Sequence, residues 1–355
     1  MPTISIQATD TLFFRDGRPF SMGEDSFAQG FFPPPPSVLH GALRSAFISE
    51  MLKGGGDQQI GVSDSADLRL KFFALQTDGG GTWFPMPTDL VLPKSKTDAI
   101  PLSLEKPSGF SNAKTPELLA CRQLDKVEEG DFLLGKRTLE NYLKGEQDSF
   151  EVKKRGDFLT SEPKIGIGRD VDSHIADSGR LFRIHANRPA VNSKNGVQNL
   201  RFLLSFELLE LSQSGWLALG GERRAARFQA EEVVEIARPE IDSTRFKIYL
   251  ATPAVFETGW HPDSLLKKYG LTLIAAALGR PQHFGGWDVE KTIPKPMLQA
   301  VPAGSVFYVS AKSIDEAKKA ATEIHGNSIA DNLNKTDFKA QGFGLAFVGK
   351  IHPKT

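Results

Sequence analysis

The stretch FFPPPPSVLHGALR, residues 31–44, joins a run of four prolines directly to a helical pattern. Prolines hold the backbone in an extended form, so the run approaches the helix stiffly and has little entropy left to lose. Ser37 follows the prolines and is a favoured N-cap residue. Apolar residues between Val38 and Phe47 recur at helical spacing. We therefore predict a helix over residues 37–52 that begins at Ser37 and whose direction is set by the prolines.

A second face of this predicted helix is polar and combines several groups that favour an anionic ligand. The first turn exposes backbone amides, a glycine permits close approach, and a cation lies one turn above a histidine. Such groups form phosphate or ribose sites, although a polar helix face is more often only exposed to solvent. The face consists of Ser37, His40, Gly41 and Arg44.

The segments around this helix predict strands. ISIQATDTLFF, residues 4–14, alternates apolar and polar positions as a half-buried strand does. Residues 68–77 and 82–92 form a predicted hairpin across a glycine-rich turn, and residues 201–211 form another predicted strand. The order is strand, helix, strand, strand, and after about residue 240 a similar series begins.

The two series predict an α+β protein with two tandem ferredoxin-like (RRM-like) units. Residues 95–200 interrupt the first unit, and they are too long, and too rich in charge, proline and glycine, for a simple connection. We expect residues 1–240 to form an N-terminal ferredoxin-like unit with an insertion at about 95–200. Residues 241–355 are expected to form a C-terminal ferredoxin-like unit.

Composition limits the classes of function. The chain has 355 residues, of which 43 are Lys or Arg and 43 are Asp or Glu, so its formal net charge is zero. Nucleic-acid binding, which normally shows as a basic surface, must here depend on local clusters. One cysteine excludes an internal disulfide and a cysteine-cluster metal site. Because no stretch approaches the roughly 20 apolar residues of a membrane span and the N-terminus lacks signal-peptide features, we expect a cytoplasmic protein without membrane contact.

Basic residues stand beside glycines at two places. KIGIGRD, residues 164–170, places Lys164 and Arg169 around two glycines, and LGGERRAARF, residues 219–228, has two adjacent arginines shortly after a glycine pair. Closely spaced glycines bring backbone amides near another group, and neighbouring arginines favour an anionic one. The same residues also fit a simple turn with an Arg169–Asp170 ion pair and a bulged strand with solvated arginines.

Six blocks, in this order, resemble one protein family over residues 4 to about 351. The family is that of the third subunit of the Cmr complex, the type III-B CRISPR effector, within the RAMP superfamily. Six ordered blocks are far more specific than any single glycine motif. The blocks are FFRDGRPF, PPPSVLHGALR, KIGIGRDVDSHIADSGRLFRI, LALGGERRAARF, PKPMLQAVPAGSVFYV and QGFGLAFVG.

The resemblance implies a non-catalytic function. It implies tandem ferredoxin-like folds that hold the 5′ repeat-derived tag of the guide RNA in antiviral defence. It also implies two protein partners, the large polymerase-like Cmr subunit and the first of the stacked backbone RAMP subunits. No catalytic residue, metal ligand or cofactor is expected.

The resemblance also implies RNA contacts at four places. They are the polar face of the proline-approached helix, a thumb-like hairpin near residues 164–183, the glycine-arginine segment and a C-terminal glycine-rich loop, although the last also fits a strand with glycines for close sheet packing. The residues are Ser37, His40, Gly41 and Arg44; Lys164, Gly166, Gly168 and Arg169; Gly220, Gly221, Arg223 and Arg224; and Gly342 and Gly344.

Two other classes of function compete with this one. Some RAMP relatives are metal-independent endoribonucleases that process repeat RNA, and His40 would be the general acid or base. None of the seven histidines has a sequence-adjacent Tyr, Lys or second His, and the closely spaced Asp170 and Asp172 would be weak metal ligands. A sheet that binds single-stranded RNA by itself would need exposed aromatic residues, whereas 25 Phe against 4 Tyr and 4 Trp suggest core filling.

One block leaves its role open. In FFRDGRPF, residues 13–20, we expect the strand to end at Phe14 and the chain to turn at Asp16. Arg15 and Arg18 would then serve the RNA, a neighbouring subunit or Asp16 itself, and the pattern does not distinguish these alternatives.

Overall fold

The computed structural model describes residues 1–15, 27–28, 30–53, 65, 67–107, 114–121, 126–170, 172–173, 175–193, 196–288 and 293–352. Over these residues the protein is a mixed α/β structure with mostly antiparallel sheets and few helices. Strands are numbered β1 to β24 and helices α1 to α4 along the chain. None of the described helices is both long enough and apolar enough to cross a membrane.

The largest sheet has nine strands, and helix α1 (Pro36–Lys53) packs against one of its faces. The buried side of this sheet contributes Ile6, Phe202 and Phe228 to a core that Leu43 of α1 completes. In spatial order the strands are β11 (Lys153–Lys154), β9 (Phe132–Gly135), β4 (Thr82–Pro85), β3 (Arg69–Thr77), β15 (Gly196–Glu207), β1 (Thr3–Ala8), β17 (Arg224–Ala230) and β16 (Ser214–Leu219), with β14 (Ala190–Ser193) also paired to β15.

A second sheet has five strands and is covered by helices α3 (Asp263–Tyr269) and α4 (Ile314–Ile324). Ser313 caps α4, because its hydroxyl oxygen accepts a hydrogen bond from the backbone amide of Glu316 at 3.2 Å. In spatial order the strands are β19 (Thr272–Ala277), β22 (Val306–Ser310), β18 (Arg245–Leu250), β24 (Leu345–Gly349) and β23 (Asn327–Ser328).

Four small sheets and helix α2 (Lys136–Lys144) complete the described structure. Two of the small sheets are built on long hairpins, formed by β12 with β13 and by β20 with β21. The strands are β5 (Leu90–Val91), β6 (Asp98–Pro101) and β10 (Phe150–Glu151); β7 (Ser103–Glu105) and β8 (Leu118–Ala120); β2 (Phe27–Ala28), β12 (Thr160–Arg169) and β13 (Ala176–Arg188); and β20 (Gln282–Asp288) and β21 (Ile293–Ala300).

The two main sheets share one order of strands. Numbering the four principal strands of each sheet along the chain, both have the spatial order second, third, first, fourth. In the large sheet these are β3, β15, β1 and β17, and in the five-stranded sheet they are β19, β22, β18 and β24. An α-helix follows the first strand in both sheets, but only the second sheet has an α-helix between its third and fourth strands. The proposed domain boundary at residues 240–241 stays a prediction.

A continuous core joins the two sheets. It contains Phe72 and Leu203 from the large sheet together with Tyr249 and Phe347 from the five-stranded sheet. The Tyr249 hydroxyl donates a hydrogen bond of 2.7 Å to the carbonyl oxygen of Pro85. Since both sheets bury apolar surface in this common core, separating them would expose it to water.

A cluster of buried polar groups lies inside this shared core. The Asp89 carboxylate accepts hydrogen bonds from Tyr142 at 2.8 Å and from Tyr308 at 2.6 Å. The fully buried Lys247 lies 3.9 Å from the same carboxylate and 3.4 Å from the centre of the Tyr142 ring. Tyr142 belongs to α2 of the insertion, Lys247 and Tyr308 belong to the five-stranded sheet, and Asp89 lies in the segment between β4 and β5. The cluster therefore fixes these three parts of the chain relative to one another.

The structure confirms some of the local predictions and corrects others. The predicted helix over 37–52 is α1, but Ser37 is not its N-cap, because the helix already begins at Pro36, where a proline sacrifices no hydrogen bond. The first strand ends at Ala8 instead of Phe14. The hairpin of β20 and β21 was not predicted.

Candidate functional site

The predicted thumb-like hairpin is formed by β12 and β13. The two strands pair from Thr160 opposite Arg188 to Arg169 opposite Ala176, with an irregularity just before Arg169. Asp170 closes the turn, because its carboxylate accepts hydrogen bonds from the backbone amides of Ser173 at 2.8 Å and Asp172 at 3.1 Å. These bonds lower the pKa of Asp170. Asp170 thus organises the turn, and the described residues contain no cluster of three or more groups suited to hold a metal ion.

The two faces of strand β12 differ in chemistry. Ile165 and Ile167 point outward, with 62% and 47% of their surfaces exposed. Lys164, Gly166 and Gly168 lie on the other, half-buried face. Exposed isoleucines at alternate positions are costly in water, so the outward face suits contact with another molecule. The sequence pattern Lys-Ile-Gly-Ile-Gly carried this signal, but the prediction used only the lysine and the glycines.

Lys164 connects the hairpin to the glycine-arginine segment, residues 220–224. Its ammonium group donates a hydrogen bond of 2.9 Å to the Glu222 carboxylate. The structure therefore brings together two of the predicted groups that are more than fifty residues apart in sequence. The backbone of Arg169 belongs to the hairpin, whereas its side chain lies outside the described residues.

The glycine pair of this segment packs against the protein's own N-terminal region. Gly220 has a positive φ of 73°, and a Cβ atom there would lie 2.9 Å from the Phe14 ring. The Gly221 amide donates a hydrogen bond of 2.9 Å to the Phe13 carbonyl oxygen. The close backbone approach expected for these glycines is therefore directed at the first residues of the FFRDGRPF block.

The cations around this segment form a network with carboxylates. Arg224 pairs with Asp10 at 2.8 Å and also with Glu222. Arg188 pairs with Asp10 at 3.1 Å and with Glu162. A backbone hydrogen bond from Thr11, together with the charges of these two arginines, lowers the pKa of Asp10, and the hydrogen bond from Arg188 lowers the pKa of Glu162. We call these residues the charge network: Asp10, Glu162, Lys164, Arg188, Glu222 and Arg224.

Arg223 differs from its neighbour. It is exposed, has a positive φ of 50°, and makes no ion pair with any residue that the structure describes. A non-glycine residue in this backbone region is uncommon, and such positions often occur at functional sites. Arg223 is therefore available to an incoming anion, whereas Arg224 must first exchange its carboxylate partners.

Helix α1 does not present its predicted polar face as an open site. His40 is only 8% exposed, and its Nε2–H donates a hydrogen bond of 3.1 Å to the Leu68 carbonyl oxygen. Burial lowers the pKa of His40 to about 4. Arg44 donates a hydrogen bond of 3.0 Å from Nε to the Ser65 hydroxyl, and Ser37 is half-buried. Of the four residues only Gly41 is exposed, so the expected solvent-facing position of His40 was wrong.

The C-terminal glycines occupy packed positions, Gly342 against Leu70 of the large sheet and Gly344 against Ala330. Gly342 and Gly344 have positive φ values of 85° and 72°. A Cβ on Gly342 would lie 2.8 Å from the Leu70 Cβ, and one on Gly344 would lie 2.6 Å from the Ala330 amide nitrogen. The Gly344 amide also donates a hydrogen bond of 2.7 Å to the Pro253 carbonyl oxygen. Close packing and the positive φ values therefore explain why both positions are glycine.

Of the FFRDGRPF block, the structure describes residues 13–15. Arg15 is exposed and its backbone pairs with Gly30, whereas Asp16, Gly17 and Arg18 lie outside the described residues. The two phenylalanines that precede the proline run contact distant parts of the protein. The Phe31 ring lies 5.1 Å from the Phe284 ring of β20, and Arg155 donates a hydrogen bond of 2.7 Å to the Phe32 carbonyl oxygen.

Comparison with known families defines the class of protein first. The family model described as CRISPR-associated protein (Cas_Cmr3) matches residues 4–351, which is nearly the whole chain. The protein is therefore CRISPR-associated. More specifically, the chain belongs to the Cas_Cmr3 family, and this confirms the resemblance to the third-subunit family of type III-B Cmr complexes.

One solved structure has a similar fold. One chain of the "Cryo-EM structure of the Type III-B Cmr-beta bound to cognate target RNA and AMPPnP, state 1" is 15% identical, with a TM-score of 0.51 and coverage of 86% of both chains. A chain of the "Cryo-EM structure of the Type III-B Cmr-beta bound to cognate target RNA" has the same identity and coverage and a TM-score of 0.49. No curated protein matches the sequence significantly. At this identity the similarity concerns the fold alone.

Proposed function

We propose that the chain is a non-catalytic subunit of a type III-B CRISPR ribonucleoprotein in the cytoplasm, acting in antiviral defence. It holds the 5′ repeat-derived tag of the guide RNA and docks the large polymerase-like subunit and a backbone RAMP subunit. The observation that carries the proposal is the junction of the β12–β13 hairpin with residues 220–224 through the Lys164–Glu222 pair. Family membership supports the assembly, and the junction supplies a place for the RNA.

The two main sheets are proposed to be tandem ferredoxin-like units. Their shared order of strands, second, third, first, fourth, supports this description, as does the helix after each first strand. The first unit departs from the pattern between its third and fourth strands, where strand β16 replaces a helix. In this description the long insertion contributes α2 and strands of three small sheets, one of which is built on the β12–β13 hairpin.

The RNA is proposed to lie along the exposed surface of the hairpin and of the glycine-arginine segment, where the Lys164–Glu222 pair joins them. Exposed Ile165 and Ile167 offer apolar surface to bases, and exposed Arg223 offers a cation to a phosphate. The charge network holds Lys164 and Arg224 in place near the segment. A phosphate would compete with carboxylates for these cations, so binding would be sensitive to salt.

The environment of His40 is the reason why we propose that the protein is not catalytic. A general acid or base works best with a pKa near the operating pH and must reach the substrate. His40 has a pKa of about 4 and a buried ring whose Nε2 is occupied by Leu68, so it meets neither requirement. Purified protein should leave repeat RNA and target RNA intact with or without Mg²⁺ or Mn²⁺. Cleavage that disappears in His40→Ala would overturn this part of the proposal.

Arg223→Ala tests the RNA site directly. We expect weaker binding of a labelled tag oligonucleotide and a decrease in the salt slope of roughly 0.7, the value for one lost phosphate contact in single-stranded RNA. The measurement is fluorescence anisotropy at several salt concentrations, on the protein in complex with the large subunit. Arg238→Ala is the matched control, because Arg238 is also exposed but lies in the segment between the two sheets. Equal affinity and slope for Arg223→Ala and wild type would exclude Arg223 from the site.

A further inference from the structure

On the side opposite α1, the large sheet packs on the second sheet at β3 and β15 but is exposed and polar near its β16 edge. On this face Trp216 of β16 lies directly across from Arg227 of β17, and Arg227 lies across from Gln7 of β1. Trp216 is 65% exposed, and Arg227 is exposed as well. Strand β16 is the last strand at this edge of the sheet. We call these three residues the sheet platform.

Trp216 and its neighbour in β16 point to opposite sides of the sheet, and only Trp216 is exposed. The neighbouring residue of β16, Leu217, points to the α1 side and is buried there in the core. A tryptophan left mostly in water forgoes a large hydrophobic gain, so its position favours a ligand. Few aromatic residues of this sequence are candidates for base stacking, and Trp216 is one that lies exposed on the surface of a sheet.

The charges on this face favour an anionic ligand. Glu231, the acidic residue beside the platform, already accepts hydrogen bonds from Ser5 at 2.8 Å and Gln229 at 3.0 Å. Arg227 makes no ion pair within the described part of the chain. Thus the platform presents an unneutralised cation beside an aromatic ring, and its acidic neighbour is held by hydrogen-bond donors.

We propose that the sheet platform binds a single-stranded segment of the guide RNA, with one base stacked on Trp216 and one phosphate paired with Arg227. This inference rests on the proposed function and extends it to a second contact. Strand β17 carries Arg227 and begins directly after Arg223, and four residues of strand span about 13 Å. RNA leaving residues 220–224 therefore reaches the platform along this strand.

A protein partner fits this face less well. Protein–protein interfaces have an apolar centre surrounded by a polar rim. Here the single aromatic ring lies across from Arg227, and the other side chains on this part of the face are polar, namely Gln7, Gln229 and the exposed Thr9. One ring with hydrogen-bonding neighbours and a cation is the arrangement by which sheets bind unpaired nucleotides.

The test compares two RNAs on the protein in complex with the large subunit. One is a tag oligonucleotide and the other is the tag extended by the adjoining guide sequence. We expect Trp216→Ala to weaken binding of the extended RNA at least about fivefold, from the loss of one stacked base, and Trp216→Phe to retain most of the affinity. Arg227→Ala should lower the salt slope for the extended RNA by roughly 0.7. Arg238→Ala should change neither.

A covalent readout locates the contact. Extended RNA that contains 5-iodouridine should, on irradiation, crosslink to the peptide that carries Trp216. Wild-type affinity for the extended RNA in Trp216→Ala and Arg227→Ala, with crosslinks elsewhere, would overturn the platform while leaving the proposed function intact. Loss of a co-purifying subunit with unchanged RNA affinity would make the face a protein interface. If wild-type protein binds neither RNA, both the proposed function and the platform fail.

Discussion

Two segments that each contain two glycines, residues 220–224 and residues 341–344, have different surroundings. In the first, the glycines pack on Phe13 and Phe14 while the neighbouring arginines reach the surface. In the second, Gly342 packs on Leu70 and Gly344 packs on Ala330, and the atoms nearest to both glycines belong to no residue of the charge network. In both segments the glycines allow close packing. The charged neighbours, and not the glycines, distinguish a candidate RNA contact.

The largest effect is expected at Gly344. Replacement by alanine combines a left-handed backbone conformation with a contact of 2.6 Å to the Ala330 amide nitrogen, and it should destabilise the fold by about 3 kcal/mol. Thermal unfolding measures the change. Gly41→Ala is the matched control, because a Cβ there meets nothing within 4 Å and alanine favours a helix, so we expect unchanged or slightly higher stability. Equal stability of the two variants would contradict the packing role of Gly344.

The stability of the fold should also depend on pH, because two histidines are buried. Burial lowers the pKa of His40 to about 4, and burial with the charge of Lys247 lowers the pKa of His352 to about 3. Unfolded histidines, with pKa near 6.5, bind protons first as the pH falls. The unfolded state therefore takes up more protons than the folded state, and the free energy of unfolding should fall as pH decreases from about 6.5 to 4.

Urea unfolding at several pH values measures this dependence. His40→Gln retains a donor for the Leu68 carbonyl oxygen and should reduce the slope between pH 6.5 and 4. His283→Gln is the control, because His283 is exposed. An unchanged slope in His40→Gln would show that His40 is not held neutral by burial.

A smaller effect is expected in the charge network. Glu222→Gln removes the carboxylate that holds both Lys164 and Arg224, and this should raise affinity for tag RNA several-fold and steepen the salt dependence. Stability should change by less than about 1 kcal/mol, because exposed ion pairs contribute little. Fluorescence anisotropy and thermal unfolding of the same samples measure both quantities. Weaker binding in Glu222→Gln would mean that the carboxylate positions the cations for RNA instead of competing with it.

Local periodicity predicted the elements whose patterns are strong. Helix α1 and the hairpin of β3 and β4 are examples, since each is defined by neighbouring residues. The hairpin of β20 and β21 was missed, because its two glycines and two prolines weaken any strand pattern.

The environment of the candidate site was harder to predict. The burial of His40 depends on Leu68, and the pairing of Lys164 depends on Glu222, both distant in sequence. Asp10 and Glu162 joined the charge network through contacts of the same long-range kind. Residue pattern identified which blocks matter, whereas tertiary contacts decided which side chains are exposed.

Hydrogen exchange of the backbone amides, with and without tag RNA, tests the central claim most directly. We expect slower exchange in residues 160–188 and 220–224 when RNA is bound to the protein in complex with the large subunit. Residues 342–344 should exchange equally slowly in both states, because they are already packed and hydrogen-bonded. Protection confined to residues 342–344, with no change in the hairpin or in residues 220–224, would contradict the account.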